Sequence, residues 1–191
     1  SDTFDTSATF AERWVPKDRL VRPGDGTLLF PGGGALTMRG DTPREFYAEM
    51  DLTVDMPGKT NWTSAFCGFR IEGFSFLILP SGNTWMIYKL KGYDRPHGKQ
   101  VAIDGFEFRK PVRLTLVRRI DNGAATYLFR VNGKDAGSFV HDAPVPVPGA
   151  GGPPERFNPL EIFSYGVTMT LESFSLSAVK RSSDDSPNVI F

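Results

Sequence analysis

The segment VRLTLVRRIDNGAATYLFRVNGKDAG, residues 112 to 137, contains two Asn-Gly pairs, each flanked by alternating apolar residues. Asparagine and glycine tolerate the left-handed backbone of a two-residue hairpin turn, so both pairs read as tight reversals. A chain that reverses twice in so short a span forms an antiparallel meander. Three neighbouring strands are predicted, the third a short one around Ala136 to Val140.

Period two recurs in FYAEMDLTVD, where Ala48, Met50, Leu52 and Val54 share one parity and Tyr47, Glu49, Asp51 and Thr53 the other. That is a strand with one dry and one wet face, and the following MPG suits its termination, since proline removes a ladder donor. The stretch AFCGFRIEGFSFLILPSGNTWMIYKL divides at EG and PSGN into three predicted strands, about 65 to 72, 74 to 79 and 84 to 90. Ala65, Cys67, Phe69 and Ile71 share a face, which leaves Phe66, Gly68, Arg70 and Glu72 on the other. Arg70 and Glu72 then face either bulk water or a binding groove.

The remaining segments fit the same class. GTLLFPGGGALTMRG predicts a hairpin near the N-terminus, because PGGG supplies residues free to turn. Residues 91 to 110 form a mixed connection with room for a short strand. HDAPVPVPGAGGPPERF reads as a surface loop, with one helical turn near Pro154 to Asn158. In TMTLESFSL, Met169 and Leu171 have one parity and Phe174 and Leu176 the other, so a bulge near Glu172 and Ser173 is required to keep one core face. With 15 prolines and 20 glycines set against 16 phenylalanines, the apolar segments are short and punctuated. The expected architecture is all-β: an antiparallel two-sheet β-sandwich, one domain over residues 1–191, with a flexible tail from about 182.

Charge and cysteine content remove several function classes. Lysine plus arginine and aspartate plus glutamate are each 22, and no basic groove is visible, so no nucleic-acid partner is expected. The single cysteine, Cys67, has no intrachain partner, and His97 and His141 stand far apart, which excludes a histidine–cysteine metal cluster. The oxygen ligands of IDNG and SSDD lack the spacing of a calcium loop, and PGGG lacks the lysine and hydroxyl residue of a phosphate loop. No metal and no cofactor are therefore assigned. No segment is long and apolar enough to span a bilayer as a helix, and SDTFDTSATFAERW has neither the basic nor the apolar part of a signal peptide. A mature chain or a trimmed piece is expected, with the oligomeric state open.

The order FYAEMDLTVD, AFCGFRI…WMIYKL, VRLTLVRR…TYLFRVNGK and PLEIFSYG…TLESFSLSAV resembles the concanavalin A-like lectin and glucanase jelly roll. It is similar in particular to the bacterial laminin-G-like branch that includes the 3-keto-disaccharide hydrolase-type domain. The resemblance runs from Trp14 to Val179 and lies in layout and turns rather than in a chemical motif. It implies two curved sheets, a saccharide ligand in a groove on the concave one, and an extracellular or periplasmic setting. The string EMDLTVD also resembles the Glu-x-Asp-x-x-Glu motif of laminarinases and lichenases, but Val54 stands where the second glutamate belongs and Asp55 comes one residue late.

These readings nominate residues. Glycoside hydrolysis needs two carboxyl groups, about 5 to 5.5 Å apart for retention and about 6.5 to 9.5 Å for inversion. Glu49 and Asp51 lie about 7 Å apart at the backbone of one strand face, and Glu72 is the third catalytic candidate. The competing reading of Glu49 and Asp51 is a wet outer strand carrying two acids. For Arg70 and Glu72 it is a cross-strand ion pair. Trp85 and Lys89 share a parity, and an indole can stack on a sugar ring or equally well pack in a core. Trp62, Tyr93 and His97 fall in predicted loops and complete the set of substrate-binding candidates, with His97 otherwise an ordinary solvated histidine. The function expected is a glycoside hydrolase acting in the concave groove. The alternatives are a non-catalytic carbohydrate-binding module or a protein-interaction sandwich.

Overall fold

A computed structural model describes residues 12–17, 22–23, 26–40, 42–55, 65–72, 74–79, 84–89, 97–102, 107–141 and 159–179. The N-terminal strands are β1 (Trp14–Pro16), β2 (Arg22–Pro23), β3 (Leu28–Phe30), β4 (Gly33–Met38) and β5 (Phe46–Asp55). Then follow β6 (Phe66–Ile71), β7 (Phe74–Leu79), β8 (Thr84–Lys89) and β9 (His97–Ala102). The meander is β10 (Val112–Asp121), β11 (Ala124–Val131) and β12 (Lys134–His141), and β13 (Glu161–Tyr165) and β14 (Thr168–Ala178) close the fold. For β2, β8 and β9 the backbone alone is described.

The strands form two sheets of 7, a first in the order β12-β11-β10-β5-β14-β3-β2 and a second in the order β1-β4-β13-β6-β7-β8-β9. Every pairing is antiparallel. The all-β two-sheet architecture expected from alternation is therefore the observed one. Among the described residues no helix is long and apolar enough to cross a membrane, which does not bear on membrane barrels.

Alternation and turn chemistry account for most local structure. Strand β5 alternates between buried and half-buried along its whole length, with Phe46, Ala48, Met50, Leu52 and Val54 in the core. The meander forms as expected: Asn122 and Asn132 have φ of 50° and 51°, and Gly123 and Gly133 have φ of 82° and 77°, the left-handed conformations such turns need. Strand β12 extends to residues 134–141, longer than its composition suggests. The predicted irregularity in the last strand is present, a register shift between Leu171 and Ser173. It returns Phe174 to the core beside Met169 and Leu171.

The N-terminal hairpin does not form. Strand β3 pairs with β14 in the first sheet, whereas β4 pairs with β1 and β13 in the second. The PGGG segment is a corner between sheets, tied down where Gly166 N–H donates to the Gly32 carbonyl at 3.1 Å. A short two-stranded ribbon buries little apolar surface. Parting the runs places Leu28, Phe30 and Leu36 in the shared core at 0% exposure. The predicted tail from about 182 and the helical turn near Pro154 to Asn158 lie outside the described residues.

Candidate functional site

Register places side chains in rows across a sheet. On the face of the second sheet turned away from the core, one row runs Val15, Thr37, Glu161, Arg70 and Ser75. The next runs Ala35, Phe163, Gly68 and Leu77, and a third joins Gly33, Tyr165 and Phe66. The middle row is tightly built, because a Cβ at Gly68 would lie 2.0 Å from the Phe76 carbonyl oxygen. Only glycine fits there.

The first row is charged. Arg70 Nη1 donates to Glu161 Oε2 at 3.3 Å, Arg70 Nε donates to Ser75 Oγ at 3.4 Å, and the guanidinium lies over the Phe163 ring at 4.2 Å. Lys17 follows β1, where its N–H donates to the Ala35 carbonyl, and its Nζ donates to Glu161 Oε1. Glu161, with an 11% exposed side chain, thus holds two cations. Such a buried carboxylate needs them, since desolvation without a partner costs several kcal/mol.

The other rows form an apolar platform. Phe163, Leu77 and Leu79 are buried and pack with Ala35 and Phe66. Tyr165 is 58% exposed and stacks on Phe66, with ring centroids 5.4 Å apart and planes inclined at 23°. Phe66 in turn meets Phe163 edge to face at 5.8 Å. An exposed aromatic on the same face as a charged row is an arrangement that can stack a ring and read hydroxyls.

The nominated acids lie elsewhere. Glu49 and Asp51 are on the outer face of the first sheet, opposite Thr115 and Arg113 on β10. Arg113 contacts both carboxylates, through two hydrogen bonds of 2.7 and 2.8 Å to Asp51 and at 3.5 Å to Glu49. Ser173 donates to Asp51 at 3.0 Å, and Tyr47 Oη donates to Glu49 at 2.6 Å. The Arg113 hydrogen bonds hold the Asp51 pKa below the usual carboxylate range, while the Glu49 hydrogen bond and burial raise the Tyr47 phenol. An ion-paired Asp51 is poorly suited to donate a proton near neutrality.

Glu72 is in a third place. Arg70 occupies the outer face as its parity requires, but Glu72 does not share that face. It stands in the turn after β6 with φ 51°, and the left-handed step aims its carboxylate between the sheets. There Glu72 pairs with Arg118 at 2.9 Å and accepts from Tyr127 Oη. Arg118 also donates to Tyr127 Oη at 3.1 Å and to the Arg44 carbonyl at 2.5 Å. Burial is the main cause raising the Tyr127 phenol, and the Glu72 carboxylate adds to it. Phe74, Phe139 and His141 pack around this end. The structure therefore does not bring Glu72 together with Glu49 or Asp51.

For the nominated aromatic and basic residues the ladder gives backbone positions. Trp85 pairs with Ile78 and Lys89 with Phe74, both core residues, whereas the Arg70 row continues through Ser75 to Tyr88. His97 is in β9, opposite Ile87. Trp62 and Tyr93 lie outside the described residues. Among the described residues no group of three histidine, cysteine or acidic side chains could hold a metal ion.

Lys17, Phe163 and Tyr165 were not nominated from sequence. A signal for two of them existed, because alternation in EIFSY puts Glu161, Phe163 and Tyr165 on one face. Their adjacency to Arg70 is a matter of strand order, which no local pattern carries.

No family model matches this chain, and no curated protein does. Solved structures do. The carbohydrate binding module CBM66 from Bacillus subtilis is similar at 8% identity and TM-score 0.61, over 86% of this chain and 95% of that one. The Emp46p carbohydrate recognition domain is similar at 10% identity and TM-score 0.63, over 94% and 96%. The VIP36 exoplasmic/lumenal domain, in a Ca2+/Man-bound form, is similar at 10% identity and TM-score 0.60, over 90% and 85%. At such identities the likeness is one of fold, and the fold is the lectin-type jelly-roll sandwich.

Proposed function

We propose that this domain binds a saccharide on the outer face of the second sheet, as a binding module rather than a hydrolase. The observation that carries the reading is the exposed Tyr165, stacked on Phe66 on the same face as the Glu161–Arg70–Ser75 row, with the Phe163 row between them. Tyr165 offers a ring to a sugar's apolar face, and the charged row beyond Phe163 offers donors and an acceptor to the hydroxyls of a neighbouring unit. The likeness to structures described as a carbohydrate binding module and a carbohydrate recognition domain supports the same reading. An extracellular or periplasmic setting fits it, one such neighbour being an exoplasmic/lumenal domain.

Hydrolysis by the two-carboxylate route, for which Glu49, Asp51 and Glu72 were nominated, would need two carboxyl groups flanking one bond. In the three rows of this face Glu161 is the one acid among the described residues, and two cations hold it. Glu49 with Asp51, and Glu72, occupy other parts of the molecule and carry their own arginines. Trp85, Lys89 and His97 belong to the same sheet but stand at register positions in rows with the core residues Ile78, Phe74 and Phe76, so they are not part of the proposed outer-face site, whereas Trp62 and Tyr93 remain proposed contributors.

A glycan array with the wild type, Tyr165→Ala, Arg70→Gln and Asp51→Asn tests this. Loss of signal in the first two variants and retention in the third supports the assignment. Unchanged binding in Tyr165→Ala and Arg70→Gln, or loss only in Asp51→Asn, would move the site to another face. Release of reducing ends from a bound glycan would restore the hydrolase reading.

A further inference from the structure

We infer that the saccharide bound on this face is acidic, carrying carboxylate groups that Lys17 and Arg70 recognise. The inference rests on the binding reading above and names its ligand class. Its starting point is an imbalance of charge. The chain as a whole is neutral, with 22 basic and 22 acidic residues. Among the described residues the Glu161 row of the second sheet is not, since two cations meet one carboxylate there. Arg39 N–H donates to the Arg13 carbonyl and Arg39 Nε to the Trp14 carbonyl, while Met38 N–H donates to the Leu160 carbonyl next to Glu161. Arg13 and Arg39 thus join the edge of this sheet through backbone contacts, and Lys17 and Arg70 are the cations that meet Glu161.

The geometry already favours a carboxylate. Lys17 and Arg70 bind the two oxygens of Glu161, one each, so the pair of cations is spaced for such a group. One carboxylate does not exhaust them. Lys17 keeps a 50% exposed side chain, and Arg70 stays 28% exposed over Phe163. Arg70 has a further nitrogen, Nη2, with no partner among the described residues beyond the Glu161 and Ser75 contacts. An acidic saccharide long enough to span the Phe163 row, with one ring on Tyr165 and a carboxylate near Glu161, would meet donors from a guanidinium and an ammonium, the charge-assisted type of hydrogen bond. A neutral sugar would offer Lys17 and Arg70 no charge-assisted partner.

The test is affinity electrophoresis of the whole chain in gels containing polygalacturonate, its carboxyl-reduced neutral counterpart, or dextran sulfate. Retention by polygalacturonate is expected to exceed that by the reduced polymer by about tenfold and to weaken with added salt. Lys17→Gln and Arg70→Gln should each lower it about five- to tenfold, consistent with loss of one charge-assisted contact. Glu161→Gln should strengthen it, because the competing carboxylate is gone, whereas a purely structural role for Glu161 predicts loss. Lys17 is half exposed, so its variant reports on binding even where Glu161→Gln proves poorly folded.

Three outcomes overturn the inference. Retention by the neutral polymer alone, abolished in Tyr165→Ala, removes the acidic class and leaves the binding reading standing. Equal retention by dextran sulfate removes the carboxylate assignment in favour of general polyanion attraction. Retention by none of the three, together with a silent glycan array, removes the acidic ligand and the binding reading together.

Discussion

Arg113 and Arg118 belong to one strand, β10, at positions of opposite parity, and each is bound to a carboxylate. Arg113 points to the outside of the first sheet, with a 51% exposed side chain, and contacts Asp51 and Glu49. Arg118 points between the sheets, with a 2% exposed side chain, and pairs with Glu72 and Tyr127. The chemistry is the same and the surroundings are opposite. Water can replace Arg113 at its carboxylates, but little water can reach Glu72 once Arg118 is gone. The comparison teaches that an acid next to an arginine reports on function only after the solvent around it is known.

The largest expected effect comes from the interior. Arg118→Ala should lower unfolding free energy by about 3–5 kcal/mol, the usual loss when one partner of a buried pair is removed, measured by urea denaturation. Replacing both members, with Arg118→Met and Glu72→Leu, should recover much of that loss, because apolar residues of similar volume leave no orphaned charge. A double variant as unstable as the single one would show that Arg118 acts mainly through the Arg44 carbonyl.

Tyr127→Phe removes a hydroxyl that donates to Glu72 and accepts from Arg118. A loss of about 1.5–3 kcal/mol is expected, as for hydrogen bonds to charged groups. Thermal unfolding of the two proteins side by side would measure it, and a shift as small as that of a surface variant would break the contrast between interior and exterior.

On the outer face Arg113→Ala should cost about 0–1 kcal/mol and even less in high salt, as exposed pairs do. A loss comparable to that of Arg118→Ala, unaffected by salt, would mean that the Asp51 network is shielded from water in solution.

The smallest effect is in the acid limb. The folded pKa of Asp51 lies below its ordinary value, so its contribution to stability is present above the unfolded pKa of about 3.9 and lost as pH falls through the folded value. The stability gap between the wild type and Asp51→Asn should therefore shrink below about pH 4 and be flat above about pH 5. A gap that widened on acidification would reverse the assigned direction.

Much of this was legible beforehand, and the reasons are local. Asparagine and glycine at 122–123 and 132–133 need no tertiary help to favour left-handed turns, and the meander follows from them. The parity break after Leu171 foretold the bulge, because a core face cannot change sides without an extra residue. Arg70 stands opposite Cys67, Phe69 and Ile71 for the same reason. Glu72 shows where parity stops: one left-handed residue at the strand end turns the carboxylate inward, and alternation no longer applies. The N-terminal hairpin failed because PGGG permits a corner as readily as a reversal, and the choice rests on partners far along the chain.

By itself the sequence determined the class of structure, most strand spans, the two Asn-Gly turns and, within the strands, which side chains share a face, since these depend on backbone chirality and a period of two. Tertiary structure decided which faces meet. It set β13 between β4 and β6, so that Glu161 lies beside Arg70 and Tyr165 beside Phe66, and it placed Arg118 against Glu72 across the sandwich. The physical reason is that strand order follows from burying the apolar surface of the whole chain at once, a sum over distant segments that no single stretch contains.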